Sequence, residues 1–223
     1  MCGRFTLTLD PGKLQTMLDL GPFVHIIQPR YNIAPSQPVA IVKDAAKRAV
    51  ELYRWGLVPS WADDLTIGNR LINARAETAH EKPSFRGAFK YRRCLILADG
   101  FYEWQAAHKG APKKPFLFKL KNESPFTFAG LYEHKQLPEG GELHTCTILT
   151  CEPNDLVRDV HNRMPVMLDE NTRWAWLEPG VDQMTLREML APYPAEAMKC
   201  FPVSRAVNTP DNDRPEVVEP VSG

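Results

Sequence analysis

The chain has 223 residues, of which 43% are hydrophobic and 24% charged, a composition typical of an ordinary globular protein of one large or two small domains. Lys+Arg and Asp+Glu are balanced at 27 each, so overall charge does not favour nucleic acid, and such a site would need a local basic patch. No apolar run is long enough to span a bilayer, and the N-terminus lacks the pattern of a secretory signal. We therefore expect a cytoplasmic protein with no membrane partner.

The five cysteines are odd in number and include no Cys-x-x-Cys pair, so the sequence indicates neither a disulfide framework nor a zinc site. We expect no metal and no cofactor. Cys94 and Cys146 lie in apolar runs and are predicted to be buried strand residues. Cys2 lies outside any apolar run, which sets it apart from the other cysteines.

Cys2 would become the N-terminal residue if Met1 were removed, and a small second residue favours that removal. An N-terminal cysteine carries an α-amine and a thiol close enough to attack one carbonyl together. The alternative is that Cys2 is a small buried residue near a frayed terminus.

The first predicted helix begins at Pro11 with Asp10 as its N-cap and ends at residues 21–22, a Gly-Pro pair. Residues 29–36 are rich in Pro and Asn and predict an ordered loop. Residues 39–42 and 49–57 then predict a β-hairpin.

An extended conformation over residues 71–77 would place Asn73, Arg75 and Glu77 on one face, and small apolar side chains on the other. Two interpretations remain open. The segment is either the wall of a site for a polar ligand or a half-exposed edge strand.

Two isolated residues have side chains suited to proton transfer. Glu103 is flanked by aromatic residues, and burial there would raise its pKa toward neutrality, as a general acid or base requires. An exposed strand position is the alternative. His161 follows a short predicted helix and precedes Arg163 and a proline, although a single histidine is often structural.

Further strands are predicted at residues 94–97, 116–120, 126–132 and 145–150, and further helices at 84–91, 154–160, 171–177 and 184–190. Residues 137–142 predict a solvated hairpin tip, and residues 109–115 a basic loop. The short connections favour an α+β fold with a mainly antiparallel, barrel-like β core flanked by short helices. We expect a single domain over residues 1–223, with a Pro-rich polar tail from about residue 209.

Seven motifs run in order along the chain. They are MCGRF at 1–5, RYNIAP at 30–35, RWGLVP at 54–59, NARAE at 73–77, GFYEW at 100–104, HNRMP at 161–165 and PVSRAVN at 202–208. This ordered set resembles the SOS response-associated peptidase (SRAP) family over nearly the whole chain.

The resemblance implies a protein of the DNA damage response that binds single-stranded DNA at abasic sites. It implies a covalent thiazolidine between the N-terminal cysteine and the sugar aldehyde, and an inferred peptidase activity that removes Met1. It also implies an antiparallel β core with a positively charged groove. We expect a monomer, with abasic single-stranded DNA and the replication or repair machinery as partners.

On this hypothesis Cys2 forms the bond, Asn73 holds the sugar oxygen or the amine, and Glu103 shuttles protons. His161 is the second acid–base candidate and would serve reversal or β-elimination.

Contacts to DNA are predicted for five residues. Guanidinium groups pair well with phosphates, and aromatic rings stack on bases, although core packing is an alternative for each tryptophan. The candidates are Arg4, Arg75, Arg163, Trp55 and Trp61.

Two other classes remain open. A free N-terminal cysteine is also the nucleophile of some glutamine amidotransferases, in which the amine acts as base for the thiol. A non-covalent nucleic-acid-binding module is the third interpretation, which requires that loss of Cys2 leave DNA binding unchanged.

Overall fold

The computed structural model describes residues 2–106 and 112–221, and its strands form two sheets around a common hydrophobic core. The strands are β1 (Phe5–Leu7), β2 (Arg30–Ile33), β3 (Pro38–Val42), β4 (Glu51–Trp55), β5 (Asn73–Arg75), β6 (Arg93–Ala98), β7 (Gly100–Gln105), β8 (Lys114–Leu120), β9 (Phe126–Gln136), β10 (Glu142–Cys151), β11 (Met164–Pro165), β12 (Met167–Leu168) and β13 (Met198–Pro202). The helices are α1 (Pro11–Leu18), α2 (Arg86–Tyr91), α3 (Asp155–Arg158), α4 (Thr172–Leu177) and α5 (Gln183–Glu188). Short 3-10 turns lie at Leu65–Asn69, Ala195–Ala197, Arg205–Asn208 and Pro215–Val218.

The larger sheet closes on itself. Its order is β11-β10-β4-β3-β6-β9-β12, and β9 also pairs with β10, so that β10, β4, β3, β6 and β9 form a ring. Most pairs are antiparallel, as the sequence predicted for an α+β fold, but β10 runs parallel to β4 and to β5. The parallel contact with β5 brings Asn73 next to Ile148 of β10.

The second sheet has the order β13-β8-β7-β1-β2 and carries the N-terminus. Phe5 of β1 pairs with Phe101 of β7, and its ring packs edge-on against Trp55 and Phe128 at centroid distances of 5.2 and 5.7 Å. Because Trp55 and Phe128 belong to the closed sheet, Phe5 joins the two sheets at their interface. Burial of such aromatic side chains is the main favourable term that holds the sheets together.

Several predicted elements are confirmed. Asp10 caps α1 by accepting a hydrogen bond from the Lys13 N–H, and Leu14 and Leu18 are buried on its inner face. The predicted hairpin is β3–β4, and the predicted tip at residues 137–142 joins β9 to β10. Of the predicted basic loop at 109–115, residues 109–111 lie outside the described residues.

Two segments differ from the sequence prediction. Residues 29–36, predicted to be a loop, contain β2, because Arg30–Ile33 finds a hydrogen-bonding partner in β1 that no local pattern reveals. The predicted polar tail is packed against the domain. Asp213 accepts hydrogen bonds from the N–H groups of Tyr31 and Asn32, and Val217 is buried.

Within residues 2–106 and 112–221, no helix is both long and apolar enough to cross a membrane.

Candidate active site at the N-terminus

Cys2 is held beside β7 by the strand pairing of the N-terminus. Phe5 pairs with Phe101, and the Tyr102 N–H donates to the Arg4 carbonyl at 3.0 Å. Continuing this antiparallel register by one residue places Gly3 opposite Glu103. Cys2 is fully buried. The terminus from Cys2 onward is therefore an ordered part of the fold rather than a frayed end.

Asn73 connects Cys2 to the closed sheet. Its Nδ2 donates to the Cys2 carbonyl oxygen at 2.7 Å. Its Oδ1 is buried and has no hydrogen-bond partner within the described parts of the chain. An unmatched buried acceptor is costly, and such atoms are often found where a substrate supplies the missing donor. The amide that binds the Cys2 carbonyl therefore also carries a buried, unmatched acceptor.

Glu103 is the carboxylate of the site. It lies on β7 and is only 2% exposed, and this burial raises its pKa to about 7. Burial also raises the pKa of the Cys2 thiol, and the nearby Glu103 carboxylate raises it further. The acid–base interpretation of Glu103 thus agrees with its environment, and the alternative of an exposed strand position is excluded.

His161 faces Glu103, with its Nε2 3.8 Å from Glu103 Oε2. The other ring nitrogen, Nδ1, lies 3.1 Å from the backbone nitrogen and 3.2 Å from the backbone oxygen of Arg163, which together fix the ring from that side. Burial lowers the pKa of His161, so the imidazole is neutral at pH 7. The turn after α3 therefore delivers a neutral imidazole to the buried carboxyl group.

Arg163 does not extend from this turn toward solvent. Its two terminal nitrogens donate to the two carboxylate oxygens of Glu77 at 2.7 and 2.9 Å, and one of them also donates to the Thr150 carbonyl. This bidentate pair fastens the His161 turn to the segment that follows β5, and the phosphate contact of Arg163 stays a prediction. Arg75, on β5, is exposed.

Arg4 likewise makes internal contacts. Its Nη1 donates to Asn32 Oδ1 and to the Val207 carbonyl, both at 2.7 Å, and its guanidinium carbon lies 5.9 Å from the centroid of Trp104. Arg4 therefore joins the N-terminus to the segment near residue 207, and its phosphate contact stays a prediction.

Asn32 is a residue whose role sequence reasoning missed. It is fully buried, and its Nδ2 lies 3.0–3.2 Å from the carbonyl oxygens of Val207, Thr209 and Asn212. The one sequence signal for this role was the position of Asn32 between Tyr31 and a buried strand residue. That signal could not identify the partners, because they lie about 180 residues away in sequence.

The two tryptophans predicted to stack on bases have different environments. Trp55 is fully buried, and its Nε1 donates to the Ile72 carbonyl at 2.8 Å, so the base-stacking prediction is wrong for it and core packing is correct. Trp61 is 60% exposed, which leaves its ring accessible to a ligand.

Replacement of Trp55 with Ala is expected to destabilise the fold by roughly 3–5 kcal/mol, because it leaves a cavity at the junction of the sheets. Trp61→Ala, the matched control, should change the free energy of unfolding by less than about 0.5 kcal/mol. Urea denaturation of both variants measures this difference. Equal stability of the two variants would contradict the packing described for Trp55.

Two cations that the sequence analysis did not single out lie near the candidate site. A cavity of about 500 Å³ is lined by Trp104, Pro112, Lys113, Arg205 and Asn208. Lys113 and Arg205 are exposed, and the charge of Lys113 reaches both Glu103 and His161. A second cavity, of about 730 Å³, opens beside α2 and α5 and contains none of the candidate residues.

Within the described ranges, the side chains that could together hold a metal ion are His134, Glu142 and His144. They lie at the other end of β10 from Ile148, which adjoins Asn73.

The sequence matches the family model described as SOS response associated peptidase (SRAP) over residues 1–210. It is 44% identical to the abasic site processing protein YoqW of Bacillus subtilis (strain 168), covering 98% of this chain and 99% of that protein. It is 34% identical to the abasic site processing protein HMCES of Gallus gallus, covering 87% of this chain and 67% of that protein.

Solved structures show the same fold. A protein from Bacteroides thetaiotaomicron superposes with a TM-score of 0.88 at 25% identity, covering 99% of this chain and 100% of that one. A protein from Bordetella bronchiseptica superposes with a TM-score of 0.77 at 25% identity, covering 91% of this chain and 100% of that one. By sequence and by structure, the chain belongs to the SOS response associated peptidase (SRAP) family.

Proposed function

We propose that this protein processes abasic sites in single-stranded DNA by forming a covalent thiazolidine through Cys2 after loss of Met1. The observation that carries the proposal is the convergence of Asn73, Glu103 and His161 around a buried cysteine one residue from the chain start. The names of the relatives, which are abasic site processing proteins, agree with the lesion class.

The chemistry follows from the two nucleophiles of an N-terminal cysteine. The neutral α-amine attacks the open-chain aldehyde of the abasic sugar, and loss of one water gives an imine. The thiol then adds to the imine carbon, forming a carbon–sulfur bond while its proton passes to the nitrogen, which closes a five-membered ring. An α-amine titrates at about 7.7–8.0, so a useful fraction is neutral at physiological pH. Because both nucleophiles belong to one residue, their effective concentration is high.

The surrounding residues have distinct roles in this proposal. Glu103, with its pKa of about 7, exists in both protonation states near neutrality, so it can protonate the leaving oxygen and later accept a proton. Asn73 Oδ1 accepts from the amine or from a sugar hydroxyl. His161 keeps a neutral imidazole against Glu103 and provides a second acid–base group for reversal or β-elimination.

In this proposal the DNA contacts the exposed residues Trp61 and Arg75 and the cations Lys113 and Arg205 of the cavity beside Trp104. These cations are exposed, whereas Arg4 and Arg163 are occupied by internal partners. Single-strand binding should therefore weaken with salt, because each phosphate contact releases counterions. We propose that the protein acts as a monomer in the cytoplasm, alongside the replication or repair machinery.

The proposal requires a free Cys2 amine, so Met1 must be removed first, either by general methionine trimming or by the peptidase activity that the family name describes. The same amine and thiol could instead serve amide hydrolysis, as in glutamine amidotransferases. Release of glutamate from glutamine would support that alternative.

Intact mass spectrometry tests the proposal. Incubation of the purified protein with a single-stranded oligonucleotide that contains one abasic site should give a species whose mass is the sum of both molecules minus one water. The matched oligonucleotide without the lesion should give none. No adduct on the abasic strand, together with glutamine hydrolysis, would replace the proposal by the amidohydrolase alternative.

A further inference from the structure

The end of the β9–β10 hairpin carries three side chains of types that can ligate a metal ion, and they belong to no part of the proposed reaction. His134 on β9 lies directly opposite His144 on β10, so both imidazoles share one face of the sheet. Glu142 precedes His144 by two residues and therefore lies on the same face. His144 is four residues from Ile148, the neighbour of Asn73, a separation of about 13 Å along the strand.

The three side chains also approach one another closely. His144 Nε2 lies 2.7 Å and His134 Nδ1 lies 4.0 Å from the same oxygen, Glu142 Oε2. With one ligand atom taken from each of the three residues, all three atoms lie within 4.8 Å of one another. Neighbouring ligands of a tetrahedral zinc ion lie roughly 3.4 Å apart, given bond lengths of about 2.0–2.2 Å. Small movements of side chains at the surface would reach that geometry.

His134 supplies a second, independent observation. Its Nδ1 is buried from solvent and has no hydrogen-bond partner within residues 2–106 and 112–221. A buried ring nitrogen normally finds a partner. Here His134 Nδ1 lies 4.0 Å from Glu142 Oε2, which is too far for a hydrogen bond. This separation leaves room for an ion between the two atoms.

Aromatic residues hold both imidazoles in place. The ring of Tyr53 stacks on His144 at a centroid distance of 5.0 Å, and it contacts His134 edge-on at 5.7 Å. The nearby cation Lys43 is paired with Glu51 at 3.0 Å. Glu142 carries the negative charge of this cluster. Because packing restrains the two imidazoles before any ion binds, the adjustment to zinc geometry would fall mainly on the exposed Glu142 side chain.

We propose that His134, Glu142 and His144 form a site for one divalent transition-metal ion, with Zn²⁺ as the ion of best fit. Two imidazoles and one carboxylate suit zinc, with water in the fourth position, whereas Mg²⁺ and Ca²⁺ prefer oxygen ligands. The ion would cross-link β9 and β10 beside the hairpin tip. The absence of a Cys-x-x-Cys pair hid the site in the sequence, because its ligands become neighbours only through strand pairing.

Calorimetric titration of the chelator-treated protein with ZnCl₂ tests this proposal. The titration is made on a Cys2→Ala background, so that the N-terminal thiol cannot chelate the ion together with the α-amine at a second site. We expect one ion per chain, and at least about tenfold weaker binding for His134→Gln and for His144→Gln. His25→Gln, at an exposed histidine elsewhere in the chain, is the matched control and should bind as the parent does.

Thermal unfolding provides the second measurement. Zn²⁺ at 100 times its dissociation constant should raise the Tm of the parent by about 5 °C, and MgCl₂ should not. If a histidine variant is poorly folded without metal, Glu142→Gln, at a more exposed position, replaces it. An unchanged zinc affinity in the variants, or no zinc binding by the parent, would overturn the proposal. Neither result would affect the proposed reaction at Cys2.

Discussion

Replacement of Cys2 with Ala is expected to abolish the stable adduct with abasic single-stranded DNA. Alanine keeps a free α-amine after removal of Met1 but has no thiol to close the ring. The variant should therefore form only a reversible imine, which borohydride reduction would trap. Intact mass spectrometry with and without borohydride, at equal protein concentrations, measures both species. The expected result is an adduct of the variant only in the reduced sample, and of the wild type in both.

Two controls separate chemistry from folding. Cys200→Ala removes a partly accessible cysteine and should leave the adduct unchanged. Chains that retain Met1 should bind the DNA without forming the thiazolidine, because their Cys2 nitrogen is part of a peptide bond. If Cys2→Ala formed a heat-stable adduct without reductant, the bond would have to involve a different residue, and the proposed reaction would be wrong.

Much of the site could be predicted because its residues lie in local patterns. The alternation at residues 71–77 correctly placed Ala74 and Ala76 in the core and Arg75 on the opposite face. Of the two environments that the aromatic neighbours of Glu103 allowed, burial is the one the structure shows. In both cases one strand determines the environment, so a short window of sequence contains the necessary information.

The features that the sequence did not predict have a common physical origin. Arg4 and Arg163 each have an internal partner far away in sequence, Val207 and Glu77 respectively. Trp55 contacts Phe5 of the other sheet. Strand β2 and the docked tail likewise depend on pairings between distant segments, which no local pattern encodes.

Glu103→Gln is expected to slow adduct formation by roughly 10²-fold or more, since a positioned acid–base group contributes about 10²–10⁴ to a rate. Glutamine keeps the shape of the side chain but cannot exchange protons. The rate of the wild type should show one inflection near pH 7, where Glu103 titrates, and a second near pH 8, where the α-amine loses its proton. The variant should keep only the second. Single-turnover measurements between pH 5.5 and 8.5 test both expectations. An unchanged rate and profile would remove Glu103 from the mechanism.

Glu103→Gln should slow the reaction but stabilise the fold. This combination distinguishes a catalytic role of Glu103 from a structural one. Burial raises the pKa of Glu103 from its usual 4.5 to about 7, so the folded chain holds this proton more tightly than the unfolded chain does. The free energy of unfolding of the wild type should therefore fall by on the order of 3 kcal/mol as the pH rises from about 4.5 to 7, and then stay level. Because the substituted amide would carry no such charge, Glu103→Gln should raise the Tm at pH 8 and have little effect at pH 4. A variant that is more stable and yet slower would show that the fold tolerates the buried carboxyl group because the reaction requires it.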